Sequence, residues 1–348
     1  MATLIEVPEG LADVAVAATT VGDVEGERGF YHYRGQNAVE LTRNKSFEEV
    51  AALVLDSSGR PAIDPAQRVL PASLHGVVGQ LDLRSGLALL GAALGCRPVV
   101  DIDAAQRRAD AVSLISALPT LIASTYLGHV VEPRPELGHA ANFLFMLQGR
   151  EAPIELVRAL ETYLILTIDH GFNASTFTAR VVTSTGTDVA GGVLAGLCAL
   201  SGPRHGGAPS KVLDMLDAIG SADNAEVWLK AHVASGERIM GFGHRVYRAP
   251  DPRSQRMAEV AEQIAPQRYR LAAEVEQVAL RLLAGRRLVT NIELYAAVVL
   301  EVCGIPRELA TPTFAIARCV GWCAHILEQS TESKIIRPAA YYVGPAPK

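Results

Sequence analysis

Val189-Ala-Gly-Gly-Val-Leu-Ala-Gly-Leu-Cys-Ala-Leu200 is an uncharged, alanine-rich run in which Gly191, Gly192 and Gly196 leave room for a second helix to come close. It reads as an interior helix packed directly against others. Working outward, Pro153 to Ile168 places Ile154, Val157, Leu160, Tyr163 and Leu164 at three- and four-residue spacing, so one stripe faces a core. Ser46-Phe-Glu-Glu49 is a capping box opening a run to Leu55. Asp251-Pro252 and Thr311-Pro312 read as cap and first-turn pairs that start two more helices. Ala111 to Val131 lacks formal charge, but its serines, threonines and Pro119 fit a buried, proline-interrupted helical segment better than a membrane span.

Only the first 45 residues read otherwise. Thr3 to Val7 and Phe30 to Tyr33 alternate between glycines and suggest short strands or extended arms. Strands do not alternate with helices further on, which argues against a doubly wound sheet. The expected fold class is mostly α, with a short β or extended segment at the N-terminus.

The 348 residues suggest roughly two domains. With 49% apolar and 20% charged residues the chain can bury a large core, which excludes disordered and collagen-like classes. The balance of 32 Lys and Arg against 37 Asp and Glu leaves a net charge of −5, so no global basic field is available for a nucleic-acid partner. Five scattered cysteines read as reduced core thiols. The opening MATLIEVPEG has neither basic nor apolar leader character, and together these features predict a cytoplasmic protein without a membrane segment.

Three histidines stand out by context. His205 lies in Ser201-Gly-Pro-Arg-His-Gly-Gly-Ala-Pro-Ser210, which leads into a helix from Lys211 to Ile219. The positive end of that helix resists a cation there, and a neutral imidazole can donate an N–H to a developing enolate oxygen. The alternative is a turn histidine that caps the helix. His244 follows paired glycines in Ile239-Met-Gly-Phe-Gly-His-Arg-Val-Tyr-Arg248, and Arg245, Arg248, Arg253 and Arg256 cluster beside it. Such a cluster suits a ligand with several carboxylates or phosphates, or else forms a solvated basic face. His170, after Asp169 at the end of a helix, is favoured as a cation that would help bind an anion, or else is a common helix-end cap. The other six histidines, His325 among them, read as structural. No phosphate loop, dinucleotide fingerprint, nucleophile elbow or zinc-protease motif occurs, so neither a metal nor a redox cofactor is expected.

Taken together, the motifs resemble one family, the citrate synthases. The resemblance runs from Gly26-Glu-Arg-Gly-Phe-Tyr-His-Tyr-Arg-Gly35 through Asp169-His170, Asn173-Ala-Ser-Thr-Phe-Thr-Ala-Arg180 and Gly202-Pro-Arg-His-Gly-Gly207. It continues through Gly241-Phe-Gly-His-Arg-Val-Tyr-Arg248, Asp251-Pro-Arg253, Asn291-Ile-Glu-Leu-Tyr295 and Gly321-Trp-Cys-Ala-His-Ile326 to Arg337-Pro-Ala-Ala-Tyr-Tyr-Val-Gly344. It implies a two-domain helical fold: a large domain over 1–205, a smaller mobile domain over 206–310, and a return to the large domain over 311–348.

The resemblance also implies a homodimeric transferase of the tricarboxylic acid cycle that condenses acetyl-CoA with oxaloacetate, with the coenzyme A thioester as substrate and no bound cofactor. Carried over by position, His205 would donate to the thioester carbonyl and His244 would polarise the ketone. His170, Arg253 and Arg318 would hold oxaloacetate, and Arg337 would reach the site from the partner subunit. Arg248, Arg256 and Lys334 are candidates for the coenzyme A phosphates.

One position departs from the pattern. The family's base is usually the aspartate of Asn-Val-Asp-Phe-Tyr, and here it is Glu293. The extra methylene could misplace the carboxylate by roughly 1 Å, worth ~100-fold in rate, unless the pocket compensates. Two alternatives stay open: a 2-methylcitrate synthase using propionyl-CoA, and a non-catalytic paralogue that binds coenzyme A or dicarboxylates.

Overall fold

The computed structural model describes residues 6–11, 13–56, 60–203, 205–206, 208–286 and 288–345. Thr3–Ile5 of the first expected strand, and Arg204 and Gly207 of the His205 loop, lie outside them. Glu6 and Val7, the described residues of that first segment, are not in a strand, whereas Phe30–Tyr33 forms one as expected.

The β structure is a small antiparallel sheet, β1 (Gly22–Glu25), β2 (Phe30–Tyr33) and β3 (Gln36–Asn37), in sequential order. Gly22 pairs with Tyr33 and Glu25 with Phe30, leaving residues 26–29 as the turn. Helix begins earlier than expected: Asn37 accepts from the backbone of Val39 and Glu40 and starts α1 (Ala38–Asn44). The Ser46–Glu49 capping box forms as read and opens α2 (Phe47–Val54).

The first helical block comprises α3 (Leu83–Ala93), α4 (Ala104–Leu127), α5 (His139–Gln148), α6 (Ile154–Thr167), α7 (Ala174–Thr183) and α8 (Val189–Leu200). Residues 110–124 of α4 are buried apart from Ser113. This helix is long and apolar enough to cross a bilayer, but 72% of its most apolar window is covered by the rest of the chain, so protein is its solvent. Contrary to the expected interruption, α4 runs through Pro119. A missing N–H costs a helical bond, but packing on every side holds the flanking turns in place.

A second group follows: α9 (Ala208–Ile219), α10 (Ala225–Ala234), α11 (Pro252–Ile264), α12 (Pro266–Leu282) and α13 (Glu293–Val302). α13 packs on α9, α11 and α12, and α10 on α12, while α11 and α13 also rest on α6. Asp251 caps α11 as expected, its carboxylate accepting from Arg253 N. The long α14 (Ala310–Gln329) returns to the first block and packs on α4, α6, α7 and α8. Thr311 is not its cap, because the helix starts one residue earlier, and the hydroxyl donates instead to Gly206 O at 2.7 Å.

The glycine-rich helix is interior, as its sequence implies. A Cβ on Gly196 would stand 2.8 Å from the buried Trp322 ring of α14, and one on Gly192 2.7 Å from Ile326 Cδ1. Gly196→Ala is therefore expected to lower unfolding free energy by about 1–3 kcal/mol, the usual cost of overpacking. A shifted urea midpoint at constant slope would measure it, and an unchanged midpoint would mean that α8 and α14 can separate freely.

Candidate active site

The turn between α6 and α7 carries the first site residues. Gly171 adopts φ +61°, and its N–H donates to Asp169 Oδ2 at 3.2 Å. His170 is thereby aimed at Tyr247, with Nε2 to Oη 2.9 Å, and its ring packs against Tyr31 and His244, each at 5.4 Å between centroids. The expectation of a cationic His170 is wrong. Burial, followed by the fields of Arg253, His244 and Arg318, pushes its pKa well below the ordinary histidine value, so the ring is neutral. Helix-end dipoles act over about one turn and cannot outweigh this enclosure.

The His244 loop is built by two glycines. Gly241 and Gly243 have φ +84° and +90°, conformations that cost side-chain-bearing residues dearly. Gly243 N donates to Val289 O at 2.8 Å, Asn291 N to Gly241 O at 3.0 Å and Asn291 Nδ2 to Gly243 O at 3.1 Å. A Cβ on Gly241 would lie 3.0 Å from Leu294 Cβ, so this loop and the start of α13, where Glu293 sits, are locked together. On the other side, Gly26 O in the β1–β2 turn accepts from Arg248 N at 3.1 Å, and a Cβ on Gly26 would be 2.3 Å from Val246 O.

This framework fixes the His244 tautomer. Nδ1 accepts from the N–H groups of Val246 and Tyr247 at 3.0 and 2.9 Å, so in a neutral ring the proton is on Nε2. Burial and Arg253 lower the pKa to about 4. Nε2 lies 3.2 Å from Arg253 Nη2, and two donors so close define a place for an acceptor oxygen. Arg253, itself buried, is gripped from behind by Asp251, with Nε to Oδ1 3.0 Å and Nη2 to Oδ2 2.8 Å.

Two further groups approach from other elements. His205 Nε2 lies 2.9 Å from Ser175 Oγ, which accepts from Trp322 Nε1 at 3.2 Å. Its pKa is lowered to about 4, by burial first and Arg318 second; the neutral form expected from the sequence is present, with burial rather than a helix dipole as the main cause. Glu293 opens α13, its N–H donating to Asn291 Oδ1 at 3.0 Å. Burial of its carboxyl, opposed by Arg253 and reinforced by Asp251, pushes its pKa up to about 7. Tyr163 feels the Glu293 charge and packs on Phe314, whose ring lies 4.7 Å from the Arg318 guanidinium carbon. Arg318 Nε donates to Thr167 O at 3.0 Å.

His170, His205, His244, Arg253, Glu293 and Arg318 are thus linked through shared neighbours, although no hydrogen bond joins His205 to Glu293 among the described residues. Sequence reasoning misses Ser175 as a site residue, because in sequence it is one small residue in a helix start; only the fold brings Trp322 and His205 to it. The other candidates lie elsewhere on this chain. Arg248 is exposed and donates to the carbonyls of Arg245, Val246 and Tyr247. Arg256 is engaged by Thr42 at 3.0 Å and Glu259 at 2.7 Å. Lys334 and Arg337 are exposed on the segment after α14.

The family model described as citrate synthase, C-terminal domain, matches residues 10–339. A putative citrate synthase 2 of Mycobacterium tuberculosis is 38% identical over 97% of this chain and 93% of its own length. A 2-methylcitrate synthase of the same species is 34% identical over 97% of this chain and 91% of its own. Among solved structures, the ternary complex of the Thermoplasma acidophilum citrate synthase with carboxymethyl coenzyme A and oxaloacetate superposes with a TM-score of 0.85 at 28% identity, covering 99% of this chain and 97% of that one.

Proposed function

The chain belongs to the citrate synthase family, and from that premise we propose that it joins the methyl carbon of acetyl-CoA to the ketone carbon of oxaloacetate and hydrolyses the resulting thioester to citrate and free coenzyme A. One observation carries this reading: around the buried guanidiniums of Arg253 and Arg318, the Glu293 carboxyl is raised to about 7 while the imidazoles of His205 and His244 are lowered to about 4. Near neutral pH that ordering provides a base strong enough to be useful beside two neutral N–H donors, which is what abstraction from a carbon acid requires.

In this reading Glu293 takes a proton from the thioester methyl as His205 donates to the carbonyl oxygen, where the enolate charge collects. Trp322 Nε1–H can only donate, so Ser175 Oγ accepts it. Ser175 Oγ lies 2.8 Å from Asn173 Oδ1 and 2.9 Å from His205 Nε2, and its single hydroxyl proton serves one of these two acceptors; the proposed role requires it on His205 Nε2, which leaves the ring proton on Nδ1 for the thioester. The new carbon nucleophile attacks the ketone of oxaloacetate, and the alkoxide gains its proton from His244 Nε2–H. Arg253, Arg318 and His170 hold the dicarboxylate so that the carbon centres meet in order. Water then cleaves the citryl thioester, releasing the thiol.

The reading extends to assembly and motion. Arg337 of the partner subunit completes the carboxylate grip in a homodimer; in this chain Arg337 is exposed on an extended segment. Residues 206–310 move as a unit over 1–205 and 311–348, a division supported by the mutual packing of α9 to α13. Arg248 and Lys334, both exposed, are left for the phosphates of coenzyme A. Arg256, held by Glu259, must first exchange that partner.

A second reading, propionyl-CoA as donor, is favoured by the relationship to a 2-methylcitrate synthase. One methyl group in an apolar pocket changes discrimination by only ~1–3 kcal/mol. Oxaloacetate-dependent thiol release, compared as kcat/KM for acetyl-CoA and propionyl-CoA, separates the two, and no release from either would reject the catalytic reading. The pH profile gives an independent check. Because Glu293 acts as its carboxylate, kcat/KM for acetyl-CoA should fall tenfold per pH unit below about 7. An acid limb beginning only near pH 4.5 would remove the raised carboxyl from the mechanism.

A further inference from the structure

The two buried guanidiniums assigned to oxaloacetate, Arg253 and Arg318, are backed differently. Arg253 is neutralised by Asp251 at 2.8 Å, whereas Arg318 has no carboxylate at ion-pair distance among the described residues. The negative charge that acts most on Arg318 is Asp169. That carboxylate is buried, and despite its burial it is held below the ordinary carboxylate range by His325, Arg318 and the Gly171 N–H. It is seated against α14 by Gly321, where a Cβ would come within 2.2 Å of Ile168 O and 3.2 Å of Asp169 Cβ.

One turn along α14, fully buried His325 stands between Asp169 and Arg180. Arg180 is immobilised by Glu328 at 2.5 Å and Gln329 at 2.9 Å, and its Nη1 lies 3.2 Å from His325 Nδ1. A guanidinium only donates, so Nδ1 accepts and the ring carries its proton on Nε2. Nε2 lies 3.4 Å from Asp169 Oδ1, and neither of these buried atoms has another polar partner. Each is the other's available partner, and the contact is one that can tighten when the site fills.

We propose that His325 is a positioning residue for the dicarboxylate substrate: its Nε2–H holds Asp169 back from a full ion pair with Arg318, leaving that guanidinium free for a substrate carboxylate. The inference rests on the assignment of Arg318 to oxaloacetate. Released from His325, Asp169 would compete with the substrate for the same fork of N–H donors.

The test compares two amides. In His325→Gln the amide N–H falls where Nε2 was, so Asp169 keeps its donor. In His325→Asn the amide replaces Nδ1 and the donor is lost. His325→Asn should weaken oxaloacetate binding, measured by calorimetry, about tenfold, as loss of one charge-assisted hydrogen bond implies, with the acetyl-CoA KM within twofold of the parent. His325→Gln should stay near the parent, and adding Asp169→Asn to His325→Asn should restore affinity. Equal losses in both amides, equal effects on both substrates, or failure of the double variant to recover would overturn the proposal. If His325→Asn alone does not fold, His325→Gln and the double variant must still bind oxaloacetate as the parent does, and a deficit in either overturns it. Arg318→Met is the control: unchanged oxaloacetate affinity there would reject the assignment of Arg318 itself, whereas loss there without loss in His325→Asn rejects only the role of His325.

Discussion

Glu293→Gln is expected to lower kcat by ~10²–10⁴-fold, the range for loss of a positioned general base, while oxaloacetate binds as before. The substitution is nearly isosteric, and the loop that presents residue 293 is held by backbone bonds between 241–243 and 289–291 that no side chain at 293 enters. The groups assigned to oxaloacetate, His170, His244, Arg253 and Arg318, are also unchanged. Exchange of acetyl-CoA methyl protons with solvent, followed by NMR in the presence of oxaloacetate or an unreactive analogue, should cease. Undiminished exchange would transfer the role to another group.

The same variant has a stability signature of known sign. Glu293 has a folded-state pKa of about 7 against an ordinary 4.5. Below pH 4.5 the carboxyl is protonated in both states and costs nothing. Between 4.5 and 7 the unfolded chain ionises first, so folding stability falls as pH rises, and above 7 the deficit is constant. Glutamine removes it. Glu293→Gln should therefore melt higher than the parent at pH 8, and that gain should shrink as the pH is lowered toward 4.5.

The second large effect belongs to His205. His205→Ala should cost ~10²–10³-fold in kcat, as removal of one oxyanion donor does, again without loss of oxaloacetate affinity. The residue touches Ser175 and stands apart from the Asp251–Arg253–His244 group. Acid does not rescue the variant, since the parent ring, with pKa about 4, is already neutral where the enzyme works. A deficit mainly in oxaloacetate affinity would place His205 on the other substrate.

Features set by near neighbours along the chain are legible in the sequence itself. The Ser46–Glu49 box, the Asp251 cap and the glycine-rich α8 are each decided by residues within one or two helical turns. Sequence reasoning fails where distant residues decide. His170 looks cationic from its helix end, but Arg253, His244 and Arg318 surround it. Asp251 reads only as a cap, yet its second oxygen neutralises Arg253. His325 looks inert because Asp169 and Arg180, its two neighbours, come from α7 and the turn before it. The departure at Glu293 is visible in the motif, but the enclosure that raises its pKa follows only from the fold.

The seam between the β1–β2 turn and the His244 loop bears on how the chain matures. Arg248 N reaches Gly26 O there, and Arg245 Nη2 reaches Gly10 O across 235 positions. Joining such remote stretches is entropically slow compared with forming the helices between them. A ribosome-bound chain therefore carries helices long before it can arrange His244 and Arg253, and during refolding the circular dichroism signal should return ahead of thiol release.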